Sequence, residues 1–130
     1  MGSAAAAGLT VSHATLRVIS PSVPAGGYFE LANASATPVT LLGARSAVCS
    51  AVMLHESSTE GGMARMDDIG ALVVPAHGKI SFAPGGRHLM CMDPAASLLT
   101  SRIVPIVLEF RDAPALAVPF AVTDALGRAR

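Results

Sequence analysis

The alternation of apolar residues with a period of two constrains this chain more than any other feature. In Arg102–Arg111, Val104, Ile106, Leu108 and Phe110 share one face while Glu109 lies on the other. Leu116–Val122 does the same with Leu116, Val118, Phe120 and Val122, and Lys79–Phe82 repeats it in miniature. Successive side chains of a strand leave opposite faces, so this spacing predicts strands with one buried side. Further strands are expected at Val11–Ile19, Gly27–Asn33, Val39–Ala44, Ala47–His55, Met63–Met66, Ala71–Val74 and His88–Met92. Turn-forming clusters separate them: residues 21–26, Asn33–Pro38, Glu60-Gly61-Gly62, Pro75–Gly78 and Pro84-Gly85-Gly86. Many short strands punctuated in this way read as an all-β sandwich or barrel. One helical turn is expected over Pro94–Leu99, with Asp93 as its N-cap and Pro94 in the first position.

At 130 residues, 52% of them apolar and 14% charged, the chain can bury one real core. The formal net charge of zero argues against nucleic acid as a main partner, since phosphate binding needs a surplus of Lys and Arg on one face. The longest apolar stretches, such as Ile103–Phe110, are too short to cross a bilayer. Met1-Gly2-Ser3 with Ala4–Ala7 lacks the basic and long apolar regions of an export signal. It is read as a cloning scar ahead of a mature chain. The expected organisation is therefore a flexible start over residues 1–10, one domain over 11–124, and a tail over 125–130. A monomer is expected.

Sulfur and imidazole are distributed unevenly. All methionines other than Met1 fall between Met53 and Met92, as do three of the four histidines. Methionine used only to fill a core should be scattered over every strand, yet the strands after residue 100 have none. A segment rich in thioether and imidazole suggests a soft metal, with Cu(I) first in line. His88 and Met90 are two apart on a strand, so both leave the same face. His55 and Met66 close two other extended stretches. All four are expected on loops and strand ends at one pole of the sandwich, where they can converge.

The order His55, ten residues, Met66, twenty-one residues, His88, one residue, Met90 is that of a known signature. The chain resembles the periplasmic copper chaperones called PCuAC, whose pattern is H-x10-M-x21-H-x-M. The surrounding words Met53-Leu54-His55-Glu56 and residues 84–90 agree, as do Gly27-Tyr28-Phe29 and the Val104–Phe110 strand. The resemblance implies a cupredoxin-like β-sandwich with Greek-key connections, Cu(I) bound by His55, Met66, His88 and Met90, and no enzymatic activity. It also implies a periplasmic role in delivering copper to the CuA subunit of cytochrome c oxidase, directly or through a Sco-type copper protein. Two departures stand out: Thr15 occupies the place of a usual tryptophan, and a cysteine, Cys91, lies between Met90 and Met92.

Other readings remain open beside it. His13 and His77 fall outside the signature and read as structural. Met53, Met63 and Met92 read as core filler rather than as spare sulfur near a metal. A blue-copper carrier would need a histidine after its cysteine, and none follows Cys91. A Cys–His hydrolase would need an activated thiolate, and nothing marks Cys49 or Cys91 as one. A metal-free interaction module is the main alternative. Strand parity puts Cys49 on the face of His55 and Cys91 on the opposite one, which argues against a simple disulfide unless a bulge intervenes. Two buried thiols are the expectation.

Overall fold

The alternating segments form strands, with the expected face buried. In the computed structural model, which describes residues 2–60 and 62–130, Val104, Ile106, Leu108 and Phe110 face inward, as do Leu116, Val118, Phe120 and Val122. Met1, and Gly61 of the expected Glu60-Gly61-Gly62 turn, lie outside the described residues. The strands in chain order are β1 (Gly2–Ala6), β2 (Leu9–Arg17), β3 (Ala25–Asn33), β4 (Val39–Arg45), β5 (Ala51–Glu60) and β6 (Met63–Asp68). They continue as β7 (Leu72–Val74), β8 (Lys79–Phe82), β9 (Arg87–Met92), β10 (Ile103–Phe110) and β11 (Leu116–Thr123).

Pairing runs β2-β11-β10-β4-β5-β9-β3, and β3 returns to β2, so the wall closes on itself. Closure removes the open edges on which a sheet would aggregate. Only β2 and β11 run parallel among these neighbours. The connections β3 to β4 and β9 to β10 cross between non-adjacent strands, as in a Greek-key sandwich. The fold is cupredoxin-like. Strand β6 pairs with β5 outside the ring, β7 with β4, and β8 with β3.

Phe29 is the hub of the core. Its ring stacks on Phe82 at 4.5 Å and meets Phe120 edge-on at 6.0 Å. Leu16, Leu31, Leu41, Leu89, Ile106 and Leu108 surround these rings without solvent contact. Burying each such side chain contributes about 1.5–3 kcal/mol before entropy is counted. Buried Asn33 ends β3. Its amide donates to the carbonyls of Thr37, Val74 and Pro75, and its Oδ1 accepts from the Ser35 amide at 3.0 Å and hydroxyl at 2.7 Å.

Pro105 and Pro119 stand opposite each other in β10 and β11, yet neither breaks a ladder. The β4 pairing covers only Val107–Phe110 of β10, and the β2 pairing only Ala121–Thr123 of β11. Each proline thus occupies a stretch paired on one side, where its missing N–H costs nothing.

The structure departs from the sequence reading at both termini and at the helical turn. Residues 2–6, set aside as flexible, form β1 against the free side of β2, where small alanines add a strand without needing core space. The tail over 125–130 folds back, with Thr123 bridging to Ala129 and the Arg130 guanidinium bonded to the Val18 carbonyl. The helical turn is a 3₁₀ turn, Ala96–Leu99, whose N-cap is Ala95 rather than Asp93. Asp93 has a left-handed backbone (φ 46°) and accepts a 2.7 Å hydrogen bond from Ser50. Among the described residues no helix is long and apolar enough to cross a membrane.

Candidate metal centre

The register of three strands brings the four signature residues onto one outward face. His55 of β5 stands directly opposite His88 of β9, and Ser57 stands opposite Met66 of β6. Met90 faces Met53 across the same β5–β9 ladder. Directly opposed residues share a face, as do residues two apart, so His55, Met66, His88 and Met90 all project from the same side. The core lies behind them, where Leu54, Leu89 and Cys91 are buried.

The expected strand-end position holds for His88 and fails for His55. His88 is the second residue of β9, whereas β5 runs on to Glu60. The core nevertheless stops here. Leu54 is 3% exposed, while Glu56, next on the same inner face, is exposed and paired with Arg87 at 3.7 Å. His55 therefore sits where the barrel ends although its strand does not. Met66 lies on the β6 arm, every residue of which is exposed, rather than on a loop.

The two imidazoles meet at 5.8 Å between centroids and 84° between planes. His88 is buried, and its Nδ1 lies 3.2 Å from the Gly86 carbonyl. A carbonyl only accepts, so this bond puts the proton on Nδ1 and leaves the Nε2 lone pair free. Nδ1 of His55 is buried with no hydrogen-bond partner. Such an orphan is uncommon. It fits a ring whose remaining valence is meant for something other than protein. Among the described residues, no three His, Cys, Asp or Glu side chains gather as a metal site. A metal here would draw on thioether sulfur, which selects soft ions.

Beside these residues is an open depression of about 270 Å³ bordered by Met66, His88, Met90, Ser57, Tyr28 and Arg17. The Arg17 guanidinium lies 5.8 Å from the Tyr28 ring centroid. Gly26 makes the arrangement possible, because a Cβ there would come within 2.8 Å of the Tyr28 hydroxyl. Sequence reading missed Arg17 and Tyr28 as neighbours of the site. Only the β2–β3 pairing of Arg17 with Gly26, and the β3–β9 pairing of Gly26 with Met90, bring them there.

Cys49 and Cys91 form a disulfide, with Cα atoms 5.3 Å apart, contrary to the expected free thiols. Strand alternation does not govern Cys49, because β5 begins at Ala51 and leaves Cys49 in the preceding turn. Neither sulfur can then act as a thiolate ligand or nucleophile. His13 and His77 are exposed, in a bulge of β2 and in the β7–β8 turn, both with left-handed backbones.

Comparison with known proteins bears on the whole domain. Residues 9–122 match the family of LpqE-like lipoproteins. Apo-DR1885 from Deinococcus radiodurans is 31% identical, with a TM-score of 0.69 over 97% of this chain and 85% of that one. The chain belongs to the LpqE-like, PCuAC-type family. Lipoprotein Lxx21020 of Leifsonia xyli subsp. xyli is 28% identical over 121 residues, 92% of this chain and 72% of that protein. The copper-bound PCuAC domain of PmoF2 shares the fold at a TM-score of 0.79 and 22% identity, covering 95% of this chain and 99% of that domain. For a PCuAC-type chain, the cysteine pair beside the signature is thus a covalent tie behind β9 and leaves the outward face to histidine and methionine.

Proposed function

We propose that this protein carries Cu(I), bound by His55, Met66, His88 and Met90, and passes it to another copper protein. The observation that carries the reading is the pairing of His55 with His88 on a face that also presents Met66 and Met90. The copper-bound PCuAC domain of the same fold supports it. Neutral imidazole and thioether suit a monovalent soft ion and leave hard cations, which need oxygen ligands, poorly served. Thioethers bind Cu(I) less strongly than thiolates, so release to a cysteine-rich acceptor runs downhill. A carrier of this kind needs no nucleophile or general base, and we read the protein as a non-enzyme.

The acceptor in this reading is the CuA subunit of cytochrome c oxidase or a Sco-type copper protein. Ile19, Pro24 and Met66 give the depression an apolar border on which such a partner can rest. We assign the protein to an exported compartment, the periplasm or its equivalent. Lipoprotein relatives and the disulfide support this, since disulfides persist in oxidising surroundings.

Anaerobic titration with Cu(I) against a chromophoric chelator tests the reading. One ion per chain is expected, with binding weakened by His55→Ala, Met66→Ala, His88→Ala or Met90→Ala and unaffected by His13→Ala or His77→Ala. Absence of Cu(I) binding would favour the metal-free interaction module, and equal effects of His77→Ala and His88→Ala would refute the ligand set.

A further inference from the structure

None of the buried core side chains among the described residues is a methionine. Met53 and Met92, expected as filler, instead leave the wall on the same outward face as the His55–His88 pair. Moving along the β5–β9 ladder, His55 faces His88, then Met53 faces Met90, then Ala51 faces Met92. Met53 is thus diagonal to Met92, and both are half-buried. Diagonal neighbours on one face lie roughly 7–8 Å apart, a gap that two long unbranched side chains can close on a single ion. Ala51, opposite Met92, is small and leaves room beside that sulfur. Met53 also borders a second open depression, lined by Leu42, Gly43, Asp68 and Gly70, that reaches it from the other side of β5.

We propose that Met53 and Met92 form a second soft-metal site, linked to the first through Met90, which lies opposite one and two residues from the other. The proposal rests on the copper-carrier reading for its first site. A d¹⁰ ion accepts two or three thioethers, so it can pass stepwise, Met53 and Met92 bonding to it as His55, Met66 and His88 let go, with Met90 the last of the first four ligands to leave. No electron or proton changes place in that step. The site would serve as a waiting position between the four-ligand centre and an acceptor approaching along the wall.

Protein carrying ¹³C-methyl methionine, titrated with Ag(I) as the probe, tests this by NMR. The first equivalent is expected to shift the Met66 and Met90 methyls. Further Ag(I) should shift Met53 and Met92 in a weaker second step. Met63, on the opposite face of β6 and 70% exposed, should not respond. The double variant Met53→Leu, Met92→Leu keeps side-chain volume and should lose the second step while keeping the first. If Met53 and Met92 stay unshifted in excess Ag(I), or a second step survives in the double variant, the proposal is overturned with the first site intact. Shifts at Met53 and Met92 without shifts at Met66 and Met90 would remove the four-ligand centre and leave the outlying pair standing.

Discussion

His88 and Met66 are assigned the same ion but differ in what else depends on them. Met66 is 54% exposed on an arm that packs against no core, so Met66→Ala should weaken Cu(I) binding and change the stability of the metal-free protein by less than about 0.5 kcal/mol. His88 is 7% exposed and bonded to the Gly86 carbonyl, so His88→Ala should weaken binding and also cost about 1–3 kcal/mol. Urea unfolding of both variants without metal separates the two effects. Equal stability losses would mean that Met66 packs more tightly than its exposure indicates. At this scale the sequence revealed which residues carry soft donor atoms, because spacing and chemistry are written in it directly. It did not reveal that Met53 and Met92 avoid the core. Parity is relative to a strand's neighbours, and only the β5–β9 register settles which side is outward.

Among elements, β9 is held by β3 and β5 at its sides and by the Cys49–Cys91 bond to the turn before β5. That bond spans a sequence separation of 42 residues. Removing it with Cys49→Ser and Cys91→Ser should cost about 2–4 kcal/mol, largely by freeing the unfolded chain. Cu(I) affinity should stay unchanged in the folded double variant, because no cysteine lies on the ligand face. A large drop in affinity would show that the bond also positions Met90. The C-terminal turn offers a separate test. Asp124 is held below the usual carboxylate range first by the Arg128 amide, which with the Leu126 amide and the Arg128 guanidinium outweighs the opposing effect of desolvation. Its contribution is therefore present above the ordinary carboxylate value and lost as pH falls through the lowered one. Protection of the amides of residues 126–130, measured against intrinsic exchange at each pH, should fall in that acid window, and Asp124→Asn should remove that pH dependence of protection. The strands of the second half were legible because β10 and β11 each bury one full face. Strand β5 was displaced by four residues at its start, because Ala47–Ser50 has strand-like composition but turns to reach Cys91.

For the whole molecule, the closed ring means that ligand binding at one end should stabilise every strand together. Ions that bind only the folded state raise stability by mass action, about 1.4 kcal/mol for each tenfold rise of free metal above its dissociation constant. Tm should therefore climb with Cu(I) in a single cooperative transition. A transition that splits in two with metal would show that the β5–β6 arm melts apart from the barrel. Strand β9 gives this coupling a genetic form. Its inward residues Leu89 and Cys91 alternate with His88, Met90 and Met92. Insertion or loss of one residue within it would exchange the two sets, turning donor atoms into the oily interior and a half-cystine toward water. Such a lesion cannot yield a stable protein that has merely stopped binding metal. Screens for copper-deficient but well-folded variants should accordingly recover substitutions in β9 and no single-residue indels.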